Sequence, residues 1–578
     1  MKTWMRYQLE TKMKWNTEKV KARIESWFNR KTFNPQKLRG ILMGLTLTTT
    51  LGEICAYKMI RQDIRGGEIP YYTTDVMIVA FAIFEAVLAP FICWWGFRRR
   101  RKMLTSYSFI VTLCVAMWFF MPGVKERKES ELCDAANQQN TLEFEGMSPR
   151  SGTRLAVIIF TCIFFVLTRI ACWGHGVAYT DEFAPERTSV HYGVVLMARV
   201  ITLLLGDRVL TSAVDRNLSM QALGLTLGFV ANFIQLFFIV PKVTPKVDGI
   251  QKIALPLEER SFLLSVGRVV MNSIVITQMF AMGLMAAALW GYGYHQADII
   301  MVNFNMIREK NATVHFTEFL SYMYVIVVVA YAGVKFSVPI LMEFCNFKAI
   351  KQATMMSIFA FIMYVIITTV PYCNKGVIAG LSGSYYGQPE CSLSCNCKPH
   401  WNEFKPVCVV DNMVTYVSPC QAGCSQSEVL NGVLVYSNCT CSPTGRAILG
   451  ACNDVNCKQV YRFHGICFFI LFTFTLLAFQ AQGVLLLRAV DPRDKSVVIG
   501  LTWTMVAIIA FVCGHLVFLG IRVSNCSWYE AKTCHLQSQS FPVLVGATSS
   551  LLALLSCVVS IGSWICLRMS NKIINTRL

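Results

Sequence analysis

The chain has 578 residues, 54% of them hydrophobic and only 15% charged, and its mean hydropathy is +0.47. That composition belongs to a polytopic membrane protein and excludes an ordinary soluble domain. The net charge of +19 comes from short basic clusters beside apolar runs, a pattern that the positive-inside rule explains and nucleic-acid binding does not.

Residues 1–39 hold eleven Lys and Arg against three Glu. This is not a cleavable signal peptide, because a long charged stretch precedes the first apolar run. Met5, Leu9, Val20, Ile24, Trp27 and Phe28 fall at helical spacing between basic residues. Two readings stand: amphipathic pieces on the cytoplasmic leaflet, or an unstructured basic tail.

A bilayer core needs roughly 20 apolar residues per helix. Such runs lie near 40–60, 73–97, 104–122, 155–174, 190–212, 219–241, 263–290, 318–341, 350–371, 461–487, 496–520 and 543–567. The fifth carries Asp207 and Arg208. Twelve spans return both termini to one side, and the basic N-terminus and the cluster Arg98 to Lys102 make that side the cytoplasm. The expected organisation is a six-helix bundle over 40–241, a cytoplasmic linker over 242–262 containing Pro245 and Pro256, and helices seven to nine over 263–371. An external loop over 372–460, helices ten to twelve over 461–567 and a cytoplasmic tail over 568–578 complete it. Six plus six helices about a cytoplasmic linker predict an all-α, major facilitator type of fold, with a central cavity opening alternately to each side.

The external loop is cysteine-dense. Cys391, Cys395, Cys397, Cys408, Cys420, Cys424, Cys439, Cys441, Cys452 and Cys457 occupy 67 residues with few aliphatic runs. Their irregular spacing, without a CxxC pair, points to five disulfides in an oxidising compartment and away from metal. Cys526 and Cys534 flank seven residues and are expected to pair. Cys133 and Cys373 are the remaining external cysteines, paired across the halves or left as thiols. Four sequons, at Asn217, Asn311, Asn438 and Asn525, all fall in predicted external loops and are candidate glycosylation sites.

The order Cys391-x3-Cys395-x-Cys397, Pro406-Val407-Cys408, Thr415-Tyr416-x-Ser418-Pro419-Cys420-x-Ala422-Gly423-Cys424, Cys439-Thr-Cys441, Gly450-Ala-Cys452 and Cys457 resembles the Kazal-like loop of the organic anion transporting polypeptides. Gly176-Val-Ala-Tyr179-Thr-Asp181-Glu182 resembles that family's motif after span four, and Val490-Asp-Pro492-Arg-Asp-Lys495-Ser496-x3-Gly500 its span 10–11 loop. The departures mark a divergent member: there is no Trp between residues 210 and 240, and Ala507 stands where the family commonly has arginine. The resemblance implies sodium-independent uptake of amphipathic organic solutes, organic anions such as steroid conjugates, across the plasma membrane by alternating access.

Ionisable groups at membrane depth cost at least ~2.5–3.5 kcal/mol and so face a cavity or a partner. The cavity candidates are Glu53, Glu85, Arg169, Arg199, Lys335 and His515. Arg199 reads equally as an anion-attracting cavity group and as a partner of Glu85. Lys335 is open in the same way. Arg169 reads better as a structural partner near the cytoplasmic side, and His515 as a satisfied interhelical group. The sequence lacks a nucleotide-binding glycine motif and an HExxH, so neither an enzyme nor a cofactor is expected. The competing reading is a non-transporting surface protein whose Kazal-like module binds a partner or protease.

Overall fold

The computed structural model describes residues 35–65, 69–96, 99–121, 132–133, 149–183, 187–214, 218–239, 261–304, 324, 345–370, 377–382, 385–395, 397, 405–430, 433–452, 457–530 and 533–577. Apart from Tyr324, the expected span 318–341, with Lys335, lies outside these residues, as do Cys373, Asn217 and Asn311. Among the described residues, ten helices of 19 to 33 residues are long and apolar enough to cross a membrane.

The first half of the chain forms α1 (Pro35–Arg65), α2 (Thr73–Trp95), α3 (Arg100–Ala116), α4 (Pro149–Ala171), α5 (Thr188–Val214) and α6 (Leu218–Ile239). α1 packs against α4, α5 and α6, and α3 against α4 and α6. Burial follows the helical period. On α2 the exposed Val76, Ile83, Val87 and Phe91 form one stripe, while Glu85 and its buried neighbours Ala82, Ala86 and Ala89 turn inward. α4 continues through a π-helical turn, Cys172–Val177, into the short helix Ala178–Phe183.

The second half contains α7 (Phe262–Val270), α8 (Ser273–Tyr294), α9 (Gln296–Phe304), α10 (Cys345–Thr369), α11 (Cys457–Arg488), α12 (Lys495–Val506), α13 (His515–Ser524) and α14 (Phe541–Arg577). A π-helical stretch, Ala507–Gly514, joins α12 to α13. α8 packs on α14, and α10 on α11 and α14. The continuous helix expected over 263–290 is broken instead. Asn272 caps α8 by accepting from the Ile274 and Val275 amides, and it also donates to the Ala489 carbonyl at 2.9 Å. That leaves α7 as a separate piece with Leu263 and Met271 exposed.

The halves meet where α2 lies along α12 and where α5 lies along α11. Small residues make the first seam: a side chain at Gly500 would strike the Ala89 carbonyl oxygen at 2.8 Å. Thr504 donates to the Ala86 carbonyl at 2.8 Å, and Ala507 packs against Ala82 and Ala86. An arginine at position 507 could not be housed without parting α2 from α12.

The cysteine-rich loop opens with a short hairpin, β1 (Leu381–Ser382) and β2 (Tyr385–Tyr386). β3 (Val407–Val409), β4 (Val414–Tyr416), β5 (Cys424–Leu430), β6 (Val433–Cys439) and β7 (Arg446–Leu449) then form an antiparallel sheet in the order β4-β3-β7-β6-β5. Its apolar core is little more than Val407, Val409, Tyr416, Ala422, Tyr436 and Ala447, which is why disulfides hold it. The bonds are Cys391–Cys441, Cys397–Cys420, Cys408–Cys452 and Cys424–Cys439. Cys526 bonds Cys534 across a hairpin of β8 (Cys526–Glu530) and β9 (Thr533–Gln537). Trp528 of this hairpin stacks 4.1 Å from Tyr386 and so docks it on the loop.

Five internal bonds are not formed. Cys395 pairs with Cys133 from the connection between α3 and α4, and Cys457 is bonded to none of the other nine. Cys133 is therefore neither a free thiol nor the partner of Cys373. Its amide also donates to the Cys424 carbonyl at 2.7 Å, so this connection supplies part of the module's framework. Of the two described sequons, Asn438 is exposed, with φ of 54°. Asn525 is committed: its amide donates to the Ile521 carbonyl and its oxygen accepts from Ser540, both at 2.9 Å. Non-reducing peptide mapping is expected to return Cys133 linked to Cys395, with glycan on Asn438 and none on Asn525. A glycan on Asn525, or an alkylated Cys133 thiol, contradicts this arrangement.

Candidate functional site

Four charged side chains converge where α1, α2, α4 and α5 meet. Arg169 donates from Nε to Glu85 Oε1 at 3.1 Å and from Nη2 to Glu85 Oε2, while its Nη1 takes Glu53 Oε1. Arg199 approaches Glu53 Oε2 only to 3.6 Å, outside good hydrogen-bonding distance. Its guanidinium lies 5.8 Å from the centre of the Trp503 ring on α12, a cation–π contact reaching into the other half. Thr46, Thr49, Cys172 and Trp173 complete a crevice around the two arginines, too narrow in this conformation to admit a water molecule. Trp173 meets Trp503 at 5.3 Å in a tilted contact and Tyr192 at 5.6 Å edge to face. The crevice thus holds two cations and Trp173, with Trp503 of the second half packed against Arg199 and Trp173.

The crevice is latched at both ends. At the end that carries the cysteine-rich module, Asp75 of α2 accepts from Tyr294 at 3.0 Å and faces His515 Nε2 at 3.2 Å. Trp290 donates to His515 Nδ1 at 3.3 Å, which leaves the proton of a neutral imidazole on Nε2, toward Asp75. Close by, Asp298 lies 3.6 Å from His295 and 3.7 Å from Arg522. Burial pushes the Asp298 carboxyl up, but His295 and Arg522 bring it below its usual value. Burial lowers His295. At the opposite end Asp181 takes Lys495 and, at 3.0 Å, Arg488, both from the second half. Gln480 of α11 donates to the Ser189 carbonyl of α5 at 2.9 Å beside this latch.

The sequence candidates Glu53, Glu85, Arg169 and Arg199 come together at this one place. Glu85 goes to Arg169 and not to Arg199, because α2 and α4 are neighbours. Arg169 lies in the crevice and not at the cytoplasmic edge, because the π-helical turn carries α4 on past it. His515 stands apart, in the latch at the module end. Asp75, Arg488, Trp173 and Trp503 were not singled out from sequence. A charge one turn inside a helix end looks there like a boundary marker, and its only other signature is a hydrogen-bonding aromatic nearby.

Glu85 and Glu53 differ in how much depends on them. Glu85→Gln is expected to leave the Arg169 fork unmatched and to cost about 3–5 kcal/mol, because one partner of a buried pair is lost. Glu53→Gln keeps the Arg169–Glu85 fork and should cost clearly less. Thermal unfolding of the two detergent-purified variants, read by size-exclusion fluorescence, checks the order; equal losses refute it.

The sequence model described as the Organic Anion Transporter Polypeptide (OATP) family matches residues 243–540, just over half of the chain. Solute carrier organic anion transporter family member 1C1 of Mus musculus is 22% identical over 596 aligned positions, covering 86% of this chain and 81% of its own. Member 4C1 of Rattus norvegicus is 31% identical over 182 residues, which is 28% of this chain and 24% of that one. Member 4C1 of Mus musculus is likewise matched over only 24% of its length. The structure of human MFSD10 (TETRAN), described as an organic anion transporter, overlays 90% of this chain and 99% of its own at 11% identity. That of the major facilitator transporter FucP, in the outward conformation, overlays 90% and 98% at 8%. Their TM-scores of 0.47 and 0.44 are too low to argue from. The assignment rests on the sequence match, and by it this multi-pass membrane protein belongs to the organic anion transporter polypeptide family.

Proposed function

We propose that the chain is a secondary transporter. It takes up amphipathic organic solutes with an anionic head group, steroid conjugates among them, independently of sodium and across the plasma membrane. In this reading twelve spans form two six-helix bundles in the major facilitator manner, with both termini cytoplasmic and the Kazal-like module outside. Residues 242–262 link the bundles on the cytoplasmic side.

One observation carries the proposal: a crevice in the first half, facing Trp503 of the second, holds a loosely engaged guanidinium, and charged contacts join the halves on either side of it. Opening outward requires Asp75 to leave Tyr294 and His515. Opening inward requires Asp181 to leave Lys495 and Arg488. With both latches made, the conformation is an occluded one, and alternating access is the exchange of one latch for the other. Arg199 is the cation an incoming anion can reach, since the fork of Arg169 is already filled. The inclined rings of Trp173, Trp503 and Tyr192 offer apolar faces and edges against which a rigid ring system can pack. A surface protein with a vestigial membrane part has no need of paired charges at membrane depth, which argues against the competing reading.

The test is uptake of labelled steroid sulfates, bile acids and neutral steroids by cells expressing the chain. Arg199→Ala is expected to raise the apparent KM for anions by about tenfold or more, the worth of a hydrogen bond to a charged group, with little change for neutral steroids of the same shape. Arg199→Lys should fall between, keeping the charge and losing the planar fork. Equal loss of anion and neutral uptake per surface molecule overturns the assignment of Arg199. Absence of uptake across the whole panel overturns the transport reading.

A further inference from the structure

We infer that α7 is a bilayer-anchored clamp on the Asp181 latch. Its apolar face, with basic residues beside it, docks on the anionic cytoplasmic leaflet, while its other face holds the loop between Arg488 and Lys495. This rests on the transport reading above, which puts residues 242–262 in the cytoplasm, and adds the lipid that steadies the closed inward side.

The placement follows from length and pattern. α8 alone has 22 residues, about 33 Å of helix, against a hydrocarbon core of about 30 Å. The nine residues of α7 are surplus to that crossing and fall at the inner interface. The exposed residues of α7 and the one after it are Leu263, Leu264, Val270 and Met271, spaced to form one face of a helix. Met271 is 87% exposed and Leu263 76%, and Gly267 between them has open space above it. That face carries no charge, and acyl chains cover it where water would not. Phe262, at the start of α7, meets Phe91 at 6.1 Å and Trp94 at 5.6 Å, so the apolar surface continues onto the exposed Phe91 and Trp95 of α2. Tryptophan is the residue expected at headgroup level. One turn beyond Trp95, Arg99 is exposed, and Lys102 follows. Their charge matches anionic headgroups and disfavours the basic N-terminal segment of the chain as the occupant.

The other side of α7 is polar and engaged. Arg268 donates from Nε and Nη2 to the two oxygens of Asp494, both at 2.9 Å, and Nη2 also reaches the Ser265 hydroxyl at 3.3 Å. The Asp494 side chain is 4% exposed. At the junction of α7 and α8, Asn272 donates to the Ala489 carbonyl at 2.9 Å. The loop between α11 and α12 is therefore gripped at both ends, at Ala489 and at Asp494. The residues just outside the two grips are Arg488 and Lys495, the cations that hold Asp181. Opening inward takes these cations away from Asp181, and a loop tied to a helix seated in the leaflet resists that movement.

The experiment uses the purified full chain in phosphatidylcholine–phosphatidylglycerol vesicles. A fluorescent amino acid incorporated in place of Met271 is expected to be quenched by brominated phosphatidylcholine and spared by aqueous acrylamide. Quenching by acrylamide means that water covers the face. Quenching by neither means that protein covers it, a second copy or the chain's own N-terminal segment. Either result overturns the lipid as occupant. Hydrogen exchange at residues 489–495 reads the clamp. In the wild type, replacing phosphatidylglycerol by phosphatidylcholine should speed this exchange about fivefold, the worth of about one basic side chain at an anionic surface. Arg268→Ala should speed it about tenfold or more, because hydrogen bonds to a charged group are lost, and should lose most of the response to lipid. No response to lipid in the wild type, or exchange and response in Arg268→Ala equal to those of the wild type, overturns the coupling. Neither readout needs a transported solute, so failure of the clamp and failure of the transport reading are told apart. The wild-type exchange and the quenching decide the matter even if Arg268→Ala fails to fold.

Discussion

A charge in the middle of a membrane protein must find a counter-charge, and the first half of this structure is arranged around that requirement. Removing an ion from water costs several kcal/mol, recovered only where geometry and hydrogen bonding are good. Arg169 meets the requirement by holding Glu85 through two nitrogens and Glu53 through a third. One side chain on α4 therefore fixes the rotation of α1 and α2 about it. Two carboxylates cannot fully serve two guanidiniums in that arrangement, and the shortfall falls on Arg199. It is left with a 3.6 Å approach to Glu53 and the face of Trp503. The rigid pair and the loose cation are consequences of one geometry.

The contacts between the halves fall into two kinds. Along α2 and α12 they are close and small-sided, through Gly500, Ala507, Ala82 and Ala86, with a threonine hydroxyl donating to the backbone of the facing helix. Such a seam lets helices approach closely and gives little directional preference. At the two ends the contacts are charged and specific, Asp75 at one and Asp181 at the other. A directional latch is either made or broken, so these ends can behave as two-state elements while the seam between them persists. The two π-helical stretches lie next to this machinery, one following Arg169 and the other running from Ala507 to Gly514 just before His515. Extra residues in a helical turn redirect side chains, and such turns recur at functional positions.

The cysteine-rich module is not an independent appendage. Its apolar core is too small to stand alone, and its disulfides are correspondingly dense. One of them, Cys133–Cys395, belongs half to the connection between α3 and α4. The module is part of the second half by sequence and is fastened covalently to the first. Any movement of the halves at that end carries this fastening with it. The β8–β9 hairpin adds a second attachment through Trp528 on Tyr386.

The sequence alone determined the features that depend on composition and local period. Apolar runs of bilayer length gave the helices, the cysteine-dense loop gave the disulfide module, and cost at membrane depth pointed to Glu53, Glu85, Arg169 and Arg199 as residues with partners. It could not say which partners, because pairing depends on helix rotation and on which helices are neighbours. Only the tertiary structure gave Glu85 to Arg169, left Arg199 to Trp503, and moved His515 out of the crevice to Asp75. The break at Asn272 was hidden for a similar reason: a polar residue within an apolar run becomes a cap only once the Ala489 carbonyl is beside it. Cys133 shows the limit most directly. The crowding of ten cysteines into one loop suggested a self-contained set of bonds, whereas a bond spanning 262 residues of sequence is visible only when the chain is folded.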